Sequence, residues 1–197
     1  MDYRVYHAID VFVRHHHWLG NVFNVVETWG TLLIAIAAGA LWLLARPQAG
    51  SKWKLAAASG LAAGGLAFLV NQVIHAAWDR PRPYETHVGL YHPHAHSTDA
   101  SFPSDHASAA FGIAFGILLY DAVAGSLFLA GAILIGAGRV IIGAHYPGDV
   151  LAGVLIGLAA AWIVVKLARP VIAFVVRMVE RVTDPLLAPF WRRGAGV

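Results

Sequence analysis

Five side chains in this sequence have the types and spacing to move a phosphoryl group: Arg82, His106, Arg139, His145 and Asp149. Imidazole is a nucleophile when neutral and a proton donor when charged, and it exchanges between the two near neutral pH. Two imidazoles can therefore divide a displacement, one attacking and the other protonating the leaving oxygen. Guanidinium presents a planar fork that fits two phosphate oxygens. His145 and Asp149 are four residues apart, so a helical turn lets the carboxylate hold one ring nitrogen and leaves the other free to attack. For any one histidine a structural role is the better expectation. Two histidines, two arginines and one aspartate at the same end of three apolar segments are much harder to explain that way.

Three stretches carry these residues. The first holds Asn71 and His75, then Arg80-Pro81-Arg82-Pro83. Positions 71, 75 and 82 share a helical face if the helix persists, although Pro81 is expected to end it near Asp79. Asn71 and His75 also suit interhelical hydrogen bonding, and both readings stay open. The second is Ser101-Phe102-Pro103-Ser104-Asp105-His106, which reads as a helix N-terminus with its cap. Free amides and the positive dipole end there attract anions, and His106 sits in that first turn. The third runs from Gly138-Arg139 to His145-Tyr146-Pro147-Gly148-Asp149. Arg139 is placed to balance the charge of a transferred phosphoryl group.

The elements that position these residues are apolar helices. The chain has 197 residues, 58% hydrophobic and only 13% charged, about half the charge that a soluble domain needs to wet its surface. Uncharged stretches lie between Glu27 and Arg46, Lys54 and Asp79, Asp105 and Asp121, Asp121 and Arg139, and Asp149 and Lys166. Each approaches the roughly 17–25 residues that cross a hydrocarbon core. The expected fold is an all-α polytopic membrane protein: one domain over residues 1–197, with spans at about 26–45, 55–78, 104–120, 124–142 and 148–168. Segment 171–190, with Arg177, Glu180 and Arg181 among Val, Ile and Phe, reads as an interfacial helix, and a sixth span is the alternative. Val5, Ile9, Val11, Phe12 and Val13 suggest a short N-terminal surface helix, against the alternative of a frayed polar end; no cleavable signal peptide is expected. Gly112/Gly116, Gly153/Gly157 and the trio Gly60, Gly64 and Gly65 argue for close helix packing.

Loop charge gives an orientation. Arg46, Lys52 and Lys54 fall on the same side as Lys166, Arg169, Arg177, Arg181, Arg192 and Arg193, which the positive-inside rule makes cytoplasmic. Arg80, Arg82 and Arg139 then lie on the outer side, against that rule, and an anionic substrate supplies a reason for them. Without cysteine, disulfide and thiol chemistry are excluded. Basic residues sit at span ends and form no stripe, so nucleic acid is not an expected partner.

Arg82-Pro83, Pro103-Ser104-Asp105-His106 and Arg139 with His145 and Asp149 together resemble the three-part signature of the type 2 phosphatidic acid phosphatase superfamily. The resemblance covers residues 75–149. Asp105, where many members have Gly, is similar to the bacitracin-resistance-type undecaprenyl-diphosphatases, as are Ala8-Ile9-Asp10 and Asp99-Ala100-Ser101. Two positions depart from the superfamily pattern: His75 stands where lysine is usual, and Gly138 where serine is usual.

The resemblance implies a multi-pass enzyme of the bacterial inner membrane that hydrolyses undecaprenyl diphosphate to undecaprenyl phosphate and phosphate on the outer face, through a phosphohistidine and without metal or cofactor, and so recycles the lipid carrier of cell-wall synthesis. It implies His145 as nucleophile, His106 as general acid and Asp149 as the partner of His145. Arg82, Arg139, Ser104 and Asp105 belong to the expected phosphate site, with His75 and Arg80 added because one lysine contact is missing. Other lipid phosphates, such as phosphatidylglycerol phosphate or phosphatidic acid, are the alternative substrates. A metal-binding or transport protein is the reading of another class, motivated by His15–His17 and by His87, His92, His94 and His96. It leaves the two arginines and the His145/Asp149 pair unexplained.

Overall fold

A computed structural model describes residues 2–45, 51–87 and 97–193, and among these every regular element is a helix. In chain order they are α1 (Asp2–His15), α2 (His17–Leu44), α3 (Ser51–Ala77), α4 (Pro83–Thr86), α5 (Asp105–Leu118), α6 (Ala122–Ile141), α7 (Pro147–Lys166) and α8 (Arg169–Arg193). Four of them, α2, α3, α6 and α7, are long and apolar enough to cross a membrane. The third expected span, α5, is shorter, with 14 residues and a length of about 21 Å.

Its position explains how a short helix suffices. α5 lies at the centre of the bundle against α3, α6 and α7. Ala107, Ala110, Phe111, Ile113, Ala114 and Ile117 are all buried there. A helix surrounded by protein need not match the thickness of the lipid, because its neighbours present the apolar surface. Glycines bring the backbones together. A Cβ on Gly116 would stand 2.6 Å from Gly60 Cα, and one on Gly157 would stand 2.7 Å from the Gly112 amide nitrogen. Gly65 meets nothing within 4 Å, so it takes no part in the close packing expected of it.

The end of the bundle away from the histidines is tied by charge. Asp121 caps α6 through the Ala124 amide and accepts from Lys52 Nζ at 3.2 Å and Trp53 Nε1 at 3.3 Å. Lys54, fully buried, bridges to Asp184 at 2.5 Å and Glu180 at 3.3 Å, which holds α8 on α3. α8 carries Pro185 and Pro189 and is not among the helices apolar enough to cross. At the other end α1 is docked on the bundle and buries Tyr6 with Val140 and Tyr146, so the N-terminal segment is neither frayed nor detached.

Candidate active site

Proline and capping chemistry end three apolar helices at one level. α3 stops at Ala77, earlier than a helix carrying His75 and Arg82 on one face would require; its last helical bond runs from the Trp78 amide to the Ile74 carbonyl at 2.8 Å, and the chain to residue 82 is not helical. α5 begins where Ser104 Oγ accepts from the Ala107 amide. α7 begins at Pro147, with the Asp149 carboxylate reaching back to the Tyr146 amide at 2.9 Å. A cleft of about 110 Å³ opens between these ends, and Glu27, His75, Arg82, Asp105, His106, Arg139 and His145 line it.

His145 is the most constrained of them, 1% exposed in the turn between α6 and α7. Its Nδ1 lies 2.7 Å from the Ser101 carbonyl oxygen. A carbonyl only accepts, so Nδ1 carries the proton and Nε2 keeps a lone pair. That lone pair faces Arg82 Nη1 and Arg139 Nη2, each at 3.2 Å. Burial and then the charges of Arg139 and Arg82 hold the imidazole well below its ordinary pKa, so the ring is neutral at physiological pH.

The expected bond from Asp149 to His145 is not formed. Asp149 Oδ2 stands 3.9 Å from His145 Nδ1, and the Ser101 carbonyl occupies the place the carboxylate was expected to take. Lying before the helix, His145 does not present its ring one turn above Asp149. The buried carboxylate instead accepts from Ser101 Oγ at 2.6 Å, from the Tyr146 amide, and from Arg80 Nη1 at 2.5 Å. Asp149 thus reaches His145 through Ser101.

Both arginines of the cleft are nearly fully buried. Arg82 is fixed by the Asp99 carbonyl on Nε and the Ala144 carbonyl on Nη1. Arg139 pairs with Glu27 at 2.5 Å, and its Nε has no hydrogen-bond partner. Among the described residues the His106 ring has no hydrogen-bond partner either; it faces the cleft from the first turn of α5.

Four expected phosphate contacts are placed differently. Arg80 points away from the cleft, onto Asp149 and Asp2, with its guanidinium 4.2 Å from the centre of the Tyr146 ring. Ser104 is buried off the cleft, with its oxygen committed to the helix cap. Asp105 lines the cleft, but its carboxylate accepts from Asn71 at 2.7 Å and Gln72 at 3.1 Å, and an anion does not attract phosphate. His75 also lines the cleft, yet its Nε2 donates to the Pro103 carbonyl at 3.0 Å. The ring therefore supports the 101–106 segment and offers phosphate no charged donor while neutral.

Glu27, Ser101, Asp99 and Asp2 receive no role in the sequence reading, although Ser101 and Asp99 lie in the motif stretches. Glu27 carries a signal, a lone carboxylate at the edge of an apolar span, and such residues inside a membrane face a partner. Asp99 acts here through its backbone carbonyl, which any residue type would provide, whereas Ser101 uses both its carbonyl, towards His145, and its hydroxyl, towards Asp149. Gly138, the departure from serine, makes room for Phe23 of α2, whose Cδ1 lies 2.9 Å from where a Cβ would stand. His92, His94 and His96 lie outside the described residues. Among those described, no group of three His, Cys, Asp or Glu side chains is gathered that could hold a metal ion.

The sequence model of the PAP2 superfamily matches residues 53–172. Undecaprenyl-diphosphatase BcrC of Bacillus subtilis is 30% identical over 190 residues, covering 94% of this chain and 95% of its own. Putative undecaprenyl-diphosphatase YbjG of Escherichia coli is 38% identical over 78 residues, 39% of either chain. In fold, the chain is similar to the crystal structure of a transmembrane PAP2 type phosphatidylglycerolphosphate phosphatase from Bacillus subtilis. The TM-score is 0.65 at 23% identity, with 86% of this chain and 85% of that one covered.

Proposed function

This chain belongs to the PAP2 superfamily, and on that premise we propose that it removes the distal phosphate of undecaprenyl diphosphate through a phosphohistidine on His145. One observation carries the chemistry. His145 has a single tautomer, set by the Ser101 carbonyl, and its free Nε2 lies between two guanidinium groups in a cleft shared with His106. The likeness to undecaprenyl-diphosphatase BcrC over 94% of this chain supports the substrate.

At rest the two arginines donate to the same lone pair that must attack. An incoming phosphoryl group draws both guanidinium groups to its oxygens and so uncovers Nε2. Nε2 then forms a bond to the distal phosphorus while the bond from that phosphorus to the bridging oxygen breaks. His106, which takes up a proton as the charge of the diphosphate enters the cleft, gives it to the departing oxygen, which leaves as undecaprenyl phosphate. The imidazolium formed at His145 keeps its Nδ1 proton on the Ser101 carbonyl. In the second half His106, now neutral, takes a proton from water; the water oxygen bonds to phosphorus and the N–P bond breaks. Inorganic phosphate leaves and both histidines return to their first states. First-turn amides of α5 add donors beside His106.

The reading places the protein in a bacterial inner membrane, with the cleft on the outer face. It is supported by the basic residues gathered at the opposite end, Lys52, Lys54, Lys166, Arg169, Arg177 and Arg181. The test is phosphate release by purified protein from a panel of lipid phosphates and diphosphates, with a chelator present. Undecaprenyl diphosphate should be the preferred substrate. His145→Gln should lose both turnover and an acid-labile phosphoenzyme while remaining folded in detergent. Phosphate release at the wild-type rate by that variant would refute the mechanism; a preference for phosphatidic acid or phosphatidylglycerol phosphate would refute the substrate.

A further inference from the structure

The N-terminal helix reaches the 145–149 turn outside the cleft. Asp2 Oδ1 accepts from the Gly148 amide at 2.9 Å, and Oδ2 accepts from Arg80 Nη2 at 2.9 Å. Glycine leaves room for this approach: a Cβ at position 148 would stand 2.9 Å from Asp2 Oδ2. Tyr6 packs edge-on against Tyr146, with ring centres 5.9 Å apart, and secures α1 there.

Arg80 is the hub of what Asp2 holds. Its guanidinium bridges Asp2 and the fully buried Asp149. Its backbone carbonyl accepts from the Ser101 amide at 2.7 Å, while Asp149 holds the Ser101 hydroxyl. Ser101 is thus fixed at two atoms through Arg80, and its carbonyl sets the His145 tautomer. We propose that Asp2 is a positioning residue for the reaction: through Arg80 and the Gly148 amide it holds the Ser101 carbonyl and the 145–149 turn in the geometry that keeps His145 Nε2 free. The proposal rests on the reading of His145 as the nucleophile.

Asparagine is the informative substitution. It keeps one acceptor but turns an NH₂ towards either the Arg80 guanidinium or the Gly148 amide, so a donor faces a donor. Misplacing a reacting group by about 1 Å costs up to about 100-fold. Asp2→Asn should lower kcat by about 10- to 100-fold and leave KM within about twofold, because Asp2 is outside the cleft. Asp2→Glu should recover part of the loss. A second readout needs no turnover: with histidine ring nitrogens labelled, the His145 signals, identified by their loss in His145→Gln, report its tautomer. Wild type should show the Nδ1-protonated form and Asp2→Asn a mixture.

An unchanged kcat in Asp2→Asn, or a rise in KM alone, would overturn the proposal. So would an unchanged His145 tautomer. If wild type releases no phosphate from any lipid, the proposed function fails, and the nitrogen spectra alone decide whether Asp2 positions His145. If Asp2→Asn does not purify folded, Asp2→Glu and Arg80→Lys carry the same two measurements, and wild-type values in both would count against it.

Discussion

At the scale of single residues, the site is organised around keeping one imidazole neutral and one lone pair directed. Burial and two neighbouring guanidinium charges depress His145, so the folded protein leaves it unprotonated where the unfolded chain takes up a proton. Below about pH 6.5 the unfolded state therefore binds more protons, and the stability this group contributes falls as pH falls. The melting midpoint in detergent should drop between about pH 7 and about pH 5 by more in wild type than in His145→Gln, which cannot titrate. Equal drops would show that His145 is not the linked group. Glu27 makes a second residue-scale prediction. It neutralises Arg139 in the resting cleft, in competition with the phosphate that must bind there. Glu27→Gln should tighten inhibition by inorganic phosphate by about fivefold, the equivalent of about 1 kcal/mol. An inhibition constant equal to that of wild type would mean that Arg139 does not exchange Glu27 for phosphate.

At the scale of elements, the short central helix α5 carries the second motif and depends on backbone contact with α3 and α7. Gly116→Ala places a methyl where Gly60 Cα leaves no room, and overpacking of this kind costs about 1–3 kcal/mol. Gly65→Ala on α3 meets open space and removes a helix-interior glycine, so stability should hold or rise by up to about 1 kcal/mol. Thermal melts of the two variants should move apart, and a common shift would remove the packing explanation. The same contact bears on activity, because α5 brings both His106 and the Ser104 cap that the Asp149 carbonyl meets at 3.1 Å.

At the scale of the whole molecule, chemistry gathers at one end of the bundle and cytoplasmic-type charge at the other. The native chain has no cysteine, so single cysteines report topology without background. Thr98 and Arg169 are exposed at opposite ends. In intact cells a membrane-impermeant maleimide should label Thr98→Cys and leave Arg169→Cys unlabelled until the membrane is opened. The reverse pattern would place the cleft on the cytoplasmic side and overturn the proposed outer-face site.

The sequence by itself determined what depends on residue type and short spacing. Apolar stretches between Glu27 and Lys166 determine membrane helices, because backbone in lipid must satisfy its own hydrogen bonds. The Pro-Ser-Asp run determines the start of α5, and the two histidines with two arginines are what pointed to phosphoryl chemistry. Tertiary structure decided who holds whom. A four-residue spacing pointed from Asp149 to His145, yet a backbone carbonyl of Ser101 holds the ring, and a backbone carbonyl leaves no trace in residue type. Arg80 and Arg82 are two residues apart and look alike in sequence. Along the non-helical 78–82 stretch they diverge, one to the carboxylates behind the site and the other to the cleft. Glu27 lies 112 residues from Arg139, and Asp2 lies 78 from Arg80 and 146 from Gly148. Contacts at that separation depend on how the helices pack, which no local pattern encodes.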